Sequence, residues 1–124
     1  MNYISDKSKI GDKVKFGHFV VIEDNVQIGD NCIIGNNVVI HEGSKLGCNI
    51  RVDDNAVIGK LPMRSVNSIF KDDDKLLPCE IKDGCLIGAG VIIYCGCVIG
   101  EETLIADMAT VRENVSIGKR TIIG

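Results

Sequence analysis

Residues 35–47 read GNNVVIHEGSKLG, and around them an aliphatic residue followed by glycine keeps a regular beat. Ile28-Gly29, Ile34-Gly35 and Leu46-Gly47 all fall on a period of six, and at Ile40 the beat arrives on time but is followed by His41. Stepping by six in both directions gives Ile4, Ile10, Phe16, Ile22, Ile28, Ile34, Ile40, Leu46, Val52 and Ile58. The beat lapses from about residue 60 to 77, then resumes as Ile81, Ile87, Ile93, Ile99, Ile105, Val111, Ile117 and Ile123. Eighteen hexads are therefore present. No α-helix satisfies a strict period of six, so the repeat is read as strand and corner.

Two other hexad positions are restricted. Four residues after the aliphatic stands a small or β-branched residue, as at Ser8, Val14, Val20, Val26, Cys32, Val38, Ser44, Ile50 and Ala56. Three residues after it Asn or Gly is common, as at Asn25, Asn31, Asn37, Gly43, Asn49, Asn55, Gly84, Gly90, Gly96 and Asn114. Those residue types tolerate a left-handed backbone, which marks this position as the corner. The same register accounts for most of the six cysteines. Cys32, Cys85 and Cys97 take the small inward slot, and Cys79, two before Ile81, takes it as well. Core packing is the reading for these four, even though CGC at 95–97 looks like a metal motif in isolation. Cys48 and Cys95 fall in turns and are read as free, reduced thiols.

Short strands joined by like corners wind into a solenoid, and here the sequence resembles the hexapeptide-repeat family. The resemblance implies an all-β fold, a left-handed parallel β-helix of about six triangular coils. One long loop is inserted at about 60–79, and residues 1–124 form a single domain. Composition agrees with such a core: 45% of residues are hydrophobic and only 4% aromatic, with no tryptophan. Ile, Val and small residues must fill the interior, which favours strands.

With three hexads per coil, positions eighteen apart lie above one another, and the residues that follow each aliphatic sort into three columns. The second column reads Gly11, Gly29, Gly47 and the third Gly17, Gly35, Asp53. The first reads Ser5, Glu23, His41, Gly59. From Ile58 to Ile81 is 23 residues, one hexad plus a 17-residue insertion. Placing that insertion at a single corner continues the first column as Tyr94, Arg112, so one outward face carries Ser5, Glu23, His41, Tyr94 and Arg112. Glu23 and His41 are then one coil apart, an arrangement that fixes an imidazole tautomer and suits a general base. The alternative is a surface ion pair on a solvated or subunit-contact face. His18, in a corner beneath Asn36 and Asp54, occupies a place where some of the similar acyltransferases hold their base. In this chain it is read as a corner or subunit-contact residue.

The insertion KLPMRSVNSIFKDDDKLLPC abandons the repeat, and loops of that length in a compact domain are either functional or disordered. Arg64, Lys71 and Lys75 are candidates to meet phosphates, and Asp72, Asp73 and Asp74 form an acidic tip. The family resemblance implies acyl transfer from acetyl-CoA as co-substrate to an amine or hydroxyl of a small acceptor, with nucleotide-linked amino sugars as the implied substrates. It implies His41 as base and Glu23 as its orienting partner, with backbone N–H groups on the oxyanion. Tyr94, Arg112, Arg64 and Asn37 are the substrate-binding candidates, and no metal is required. A homotrimer with sites between prisms is the implied assembly. A metal-dependent hydrase of the same fold needs three histidines, and this chain has two. A non-catalytic solenoid serving as scaffold is the remaining alternative. A net charge of −3 gives no reason to expect nucleic acid as a partner. The polar N-terminus and the lack of a long apolar run lead to the expectation of a cytoplasmic protein without a membrane span. The stop at TIIG, on a full beat, leads to the expectation that the domain is truncated at its C-terminus.

Overall fold

The computed structural model describes residues 1–67 and 76–124, so the expectations for Lys71, Lys75 and residues 72–74 lie outside the described residues. Each hexad supplies one short strand, eighteen in all. The strands form three six-stranded sheets in which every neighbour is three strands away in sequence. All pairings are parallel and in phase with the aliphatic beat. Ile22 lies beside Ile40 and Ile40 beside Ile58 on the first face. Ile28 lies beside Leu46 on the second, and Ile34 beside Val52 on the third. The fold is a parallel β-helix of six three-sided coils, which neighbouring strands space at about 4.8 Å.

The insertion behaves as the residue arithmetic requires. Ile81 pairs beside Leu46 and Ile87 beside Val52, so the loop replaces one corner between the first and second faces and leaves the later columns in register. The strand Val57–Lys60 reaches two residues past its aliphatic beat, and Cys79 is already seated in the core. The interior is a stack of aliphatic rungs from Val20 to Val111, fully covered in the middle coils. Ile4, Ile10, Ile117 and Ile123 at the two ends are only partly covered. Burying each central Ile or Val contributes roughly 1.5–3 kcal/mol.

The left-handed corner is kept even where the residue type opposes it. Asn25, Asn31, Asn37, Asn49, Asn55 and Asn114 have φ between 58° and 65°, as expected. Lys13, Phe19, Glu102, Met108 and Arg120 hold the same conformation, with φ from 52° to 64°. An L-residue there costs about 1–2 kcal/mol, which the hydrogen bonds of the coil on either side offset.

The packing between coils explains why glycine follows the aliphatic on two faces and not on the first. On the second and third faces the next residue is usually Asp or Asn, and its side chain accepts a hydrogen bond from the backbone of the neighbouring coil. Asp30 Oδ1 accepts from Asp12 N at 2.8 Å, Asp54 Oδ1 from Asn36 N at 2.8 Å, and Asp107 Oδ1 from Ala89 N at 2.8 Å. That carboxylate fills the space a side chain would need. A Cβ on Gly35 would lie 2.5 Å from Asp54 Oδ1 and 2.9 Å from Asp54 N. Cys48 takes one rung of this ladder, its Sγ accepting from Asp30 N at 3.3 Å. The first face lacks this ladder, so its corner has room for Glu23, His41, Tyr94 and Arg112.

All six cysteines are free, and five of them are buried. Cys95 does lie in a turn, but the turn is covered. Burial pushes the thiols of Cys32, Cys79, Cys85, Cys95 and Cys97 upward, away from thiolate formation at neutral pH. Native-state labelling with a maleimide should therefore modify Cys48 quickly and the other five slowly, and denaturation should release all six. Rapid native labelling of Cys79 or Cys97, read by peptide mass spectrometry, would contradict the packing described here.

Candidate active site

The first face brings Glu23 and His41 together as the eighteen-residue spacing requires. His41 Nδ1–H donates to Glu23 Oε1 at 3.0 Å, and the same oxygen accepts from Glu42 N at 3.0 Å. With Nδ1 committed to the carboxylate, Nε2 is left as the acceptor atom of the ring. Both side chains are partly exposed, 33% for His41 and 41% for Glu23, so a ligand can reach them.

One coil above His41 the sheet breaks its own rule. Ile58 pairs beside Ile93, but Lys60, not Gly59, pairs beside Tyr94. Gly59 is a one-residue bulge with φ +82°. A Cβ on Gly59 would run into Ser44 Oγ and come within 3.4 Å of His41 Cβ, so only glycine fits. The bulge marks the upper wall of a pocket of about 240 Å³. On one side stand Glu23, His41 and Glu42; on the other the ends of the insertion supply Leu61, Leu76, Leu77 and Pro78, above Cys79 and Cys95. A pocket of about 300 Å³ also exists on the third face, around Arg51, Leu86 and Leu104, with no histidine in it.

Ser44, at the inward slot of the turn after His41, is affected by the bulge. At four other corners the buried donor at this slot reaches a carbonyl fifteen residues on: Cys32 to Gly47, Cys85 to Gly100, Cys97 to Arg112 and Thr103 to Gly118. Ser8 turns instead to the carbonyl of Ser5. For Ser44 the matching residue is the bulged Gly59, and among the described residues Ser44 Oγ is the buried polar side-chain atom with no partner. An orphaned hydroxyl costs about 1–3 kcal/mol. Ser44→Ala should accordingly raise the thermal midpoint rather than lower it, an unusual outcome at a 0% exposed position, and calorimetry would check it.

Higher on the same face lies a second cluster. The Arg112 guanidinium sits 4.3 Å from the centroid of the Tyr94 ring, and Lys60 Nζ lies 5.1 Å from it. Arg112 Nε donates to Glu113 Oε1 at 2.8 Å, while Arg64 from the insertion approaches Glu113 Oε2 at 3.7 Å. The Arg112 hydrogen bond holds the Glu113 carboxyl below the usual range. The structure thus groups Tyr94, Arg112 and Arg64, three of the sequence candidates, two to three coils from His41. Asn37 is placed elsewhere: it is an exposed corner residue whose N–H donates to the His18 carbonyl, outside the His41 pocket. His18 is exposed at the same corner, its N–H donating to Asn36 Oδ1 at 2.7 Å. Sequence reasoning missed Glu42, Lys60, Glu113 and the Gly59 bulge. Gly59 stands on the aliphatic-plus-one beat like any other glycine, so its distinct backbone left no signal in the repeat. Among the described residues no cluster of His, Cys, Asp and Glu could hold a metal ion, and no helix is long and apolar enough to cross a membrane.

The chain belongs to the bacterial transferase hexapeptide (six repeats) family, whose model matches residues 7–42 and 78–113. No curated protein matches it. Among solved structures it is similar to AntD, an N-acyltransferase from Bacillus cereus in complex with dTDP and 3-hydroxybutyryl-CoA. The identity is 21%, the TM-score 0.60, and the match covers 94% of this chain and 72% of that one. It is also similar to LpxA, a UDP-N-acetylglucosamine acyltransferase from Bacteroides fragilis, at 27% identity and TM-score 0.59, covering 98% of this chain and 57% of that one. A third is an H141N mutant of perosamine N-acetyltransferase from Caulobacter crescentus, in complex with CoA and GDP-perosamine. Here the identity is 15%, the TM-score 0.64, and the coverage 99% of this chain and 53% of that one. This chain thus spans little more than half the length of the last two.

Proposed function

We propose that the protein is a CoA-dependent acyltransferase that moves an acetyl group from acetyl-CoA to an amine of a nucleotide-linked amino sugar. The observation that carries this reading is the Glu23–His41 pair, 3.0 Å apart and opening into a pocket walled by the insertion. In the reaction the acceptor nitrogen attacks the thioester carbonyl carbon, forming the C–N bond as the C–S bond breaks. His41 Nε2 takes the proton from the attacking nitrogen and delivers it to the departing CoA sulfur. Glu23 holds the ring in the tautomer that leaves Nε2 free and stabilises the imidazolium that forms between those two transfers. Backbone N–H groups stabilise the oxyanion.

Arg112, Arg64 and Tyr94 form the cationic and aromatic end of the same face, suited to phosphate and base of a nucleotide-bearing substrate. Asn37 is retained as a substrate contact only through a neighbouring subunit, since its own prism keeps it away from the pocket. The assembly is a cytoplasmic homotrimer. Outward Leu86 and Leu104 stack on the third face, 45% and 36% exposed, with Ile33, 50% exposed, on the far side of Arg51, and these offer apolar surface to such packing. Incubation with acetyl-CoA and a panel of nucleotide-linked amino sugars, followed by mass spectrometry, tests the reading. A product carrying one added acetyl group supports it. A folded protein that binds acetyl-CoA with no measurable affinity favours the scaffold reading instead.

A further inference from the structure

We propose that Glu113 is a positioning residue: it holds the Arg112 guanidinium against Tyr94, so that the outer edge of that cation is set in advance for the diphosphate of a nucleotide-bearing acceptor. The proposal deepens the acyl-transfer reading and rests on it for the identity of that ligand. Its placement starts with the repeat. Val111 pairs beside Ile93 and Asn114 N donates to Cys95 O, so Arg112 stands one coil above Tyr94 and Glu113 one coil above Cys95. Cys95 is small and only 4% exposed, which leaves room for the longer Glu113 side chain above it. Burial first, and then the Glu113 charge, pushes the Cys95 thiol upward, as a carboxylate close to that thiol must. The same Cys95 lines the His41 pocket, so Glu113 stands at the border between the pocket and the cationic cluster.

The bonds fix one orientation of the cation. Arg112 Nε donates to Glu113 Oε1 at 2.8 Å and Arg112 Nη2 to Glu113 Oε2 at 3.3 Å, a two-point contact along one edge of the guanidinium. The Tyr94 ring lies 4.3 Å away, and the Nη1 edge is left with N–H donors for a ligand. Exposure shows which partner faces solvent. The Glu113 side chain is 17% exposed and that of Arg112 57%, so the carboxylate lies behind the cation and an arriving anion meets the cation first. An ion pair that only neutralises surface charge needs no such layering. Lys60 completes the front. The Gly59 bulge carries it beside Tyr94, its Nζ lies 5.1 Å from the ring, and among the described residues it pairs with no carboxylate. Arg64 approaches Glu113 Oε2 at 3.7 Å, so the same carboxylate also steadies a cation that the repeat does not place.

Glu113 acts on an anion in two opposed ways. Its charge repels the ligand. Its bonds immobilise Arg112 before the ligand arrives, which is worth about threefold to tenfold in affinity for a side chain of this kind. Replacing Glu113 by glutamine or by alanine removes the same charge, but only glutamine keeps a carbonyl oxygen for Arg112 Nε. The difference between the two variants therefore isolates the positioning effect.

Inorganic pyrophosphate, titrated by calorimetry into the full chain at neutral pH, should bind Glu113→Ala about threefold to tenfold more weakly than Glu113→Gln. With Arg112→Gln added to each, the two should bind alike. Without ligand, the Arg112 Nε–H resonance in heteronuclear NMR should stay sharp in Glu113→Gln and broaden in Glu113→Ala. In the transfer reaction, Glu113→Ala should raise KM for the nucleotide-linked acceptor and leave KM for acetyl-CoA, which also carries a diphosphate, unchanged. Equal pyrophosphate affinities in the two variants, a difference that persists without Arg112, or a rise in KM for acetyl-CoA alone would overturn the proposal. A chain that transfers no acetyl group yet separates the two variants loses the acyl-transfer reading and keeps the positioning role of Glu113. An active enzyme that treats the variants alike loses only this one.

Discussion

Replacing His41 by alanine is expected to lower kcat/KM for acetyl transfer by about a hundredfold to ten-thousandfold, the range that removal of a positioned general base produces. The loss should fall mainly on kcat, because the imidazole takes its proton only as the C–N bond forms. His41→Ala should fold normally, since the side chain is one-third exposed and points outward from the first face. Glu23→Gln makes the companion measurement. It preserves an acceptor oxygen but lets the amide choose its orientation, so both His41 Nδ1 and Glu42 N lose a fixed charged partner. A smaller fall, about tenfold to a hundredfold, is expected there. Full activity in His41→Ala would move the base elsewhere, and His18 would be the next residue to replace.

Gly59→Ala should be the most destabilising single-methyl change on the first face. Two effects add. An L-residue at φ +82° costs about 1–2 kcal/mol. The new Cβ also meets Ser44 Oγ, an overpacking term of about 1–3 kcal/mol. Together they predict a fall in thermal midpoint on the order of 10 °C for a domain of this size. Ser44→Gly in the same chain should return the steric share and leave the conformational one, so the double-mutant cycle separates the two. Additive effects of the two substitutions, measured by thermal unfolding, would mean that Gly59 and Ser44 are not in contact. The pocket should suffer along with stability, because the bulge places the start of the insertion over His41.

The fold was legible because its physics is periodic. A column of aliphatics every six residues has one solution among strand architectures, and the register survives a 17-residue interruption that occupies a single corner. The Glu23–His41 contact followed from the same arithmetic, since residues eighteen apart must touch when each coil takes eighteen residues. What the repeat does not encode is where the insertion returns. Leu77 and Pro78 facing Glu42, and Arg64 reaching Glu113, depend on a loop path that no periodicity constrains. The bulge was hidden for a different reason. A glycine that must make room for a carboxylate, such as Gly35, and a glycine that must take a positive φ, such as Gly59, are the same letter. Asn37 stands at the corner between faces with φ 58°, where the hexad position places it, and its N–H is taken up by the His18 carbonyl.

The bulge also bears on how the chain finds its native alignment. A prism of near-identical coils has a degenerate threading problem, because sliding one segment by a whole coil returns nearly every aliphatic residue to an aliphatic slot. Hydrophobic burial alone discriminates poorly among such slipped states. Gly59 over Ser44, with Lys60 beside Tyr94, marks one alignment, since this is the one strand pairing among the described residues whose register shifts. The irregular coil thus serves as an index mark, dividing the helix into a lower block that ends at Lys60 and an upper block that begins at Cys79. A slip of one block against the other by a whole coil would move this irregular pairing off its partners, so the feature that shapes the pocket also marks the count.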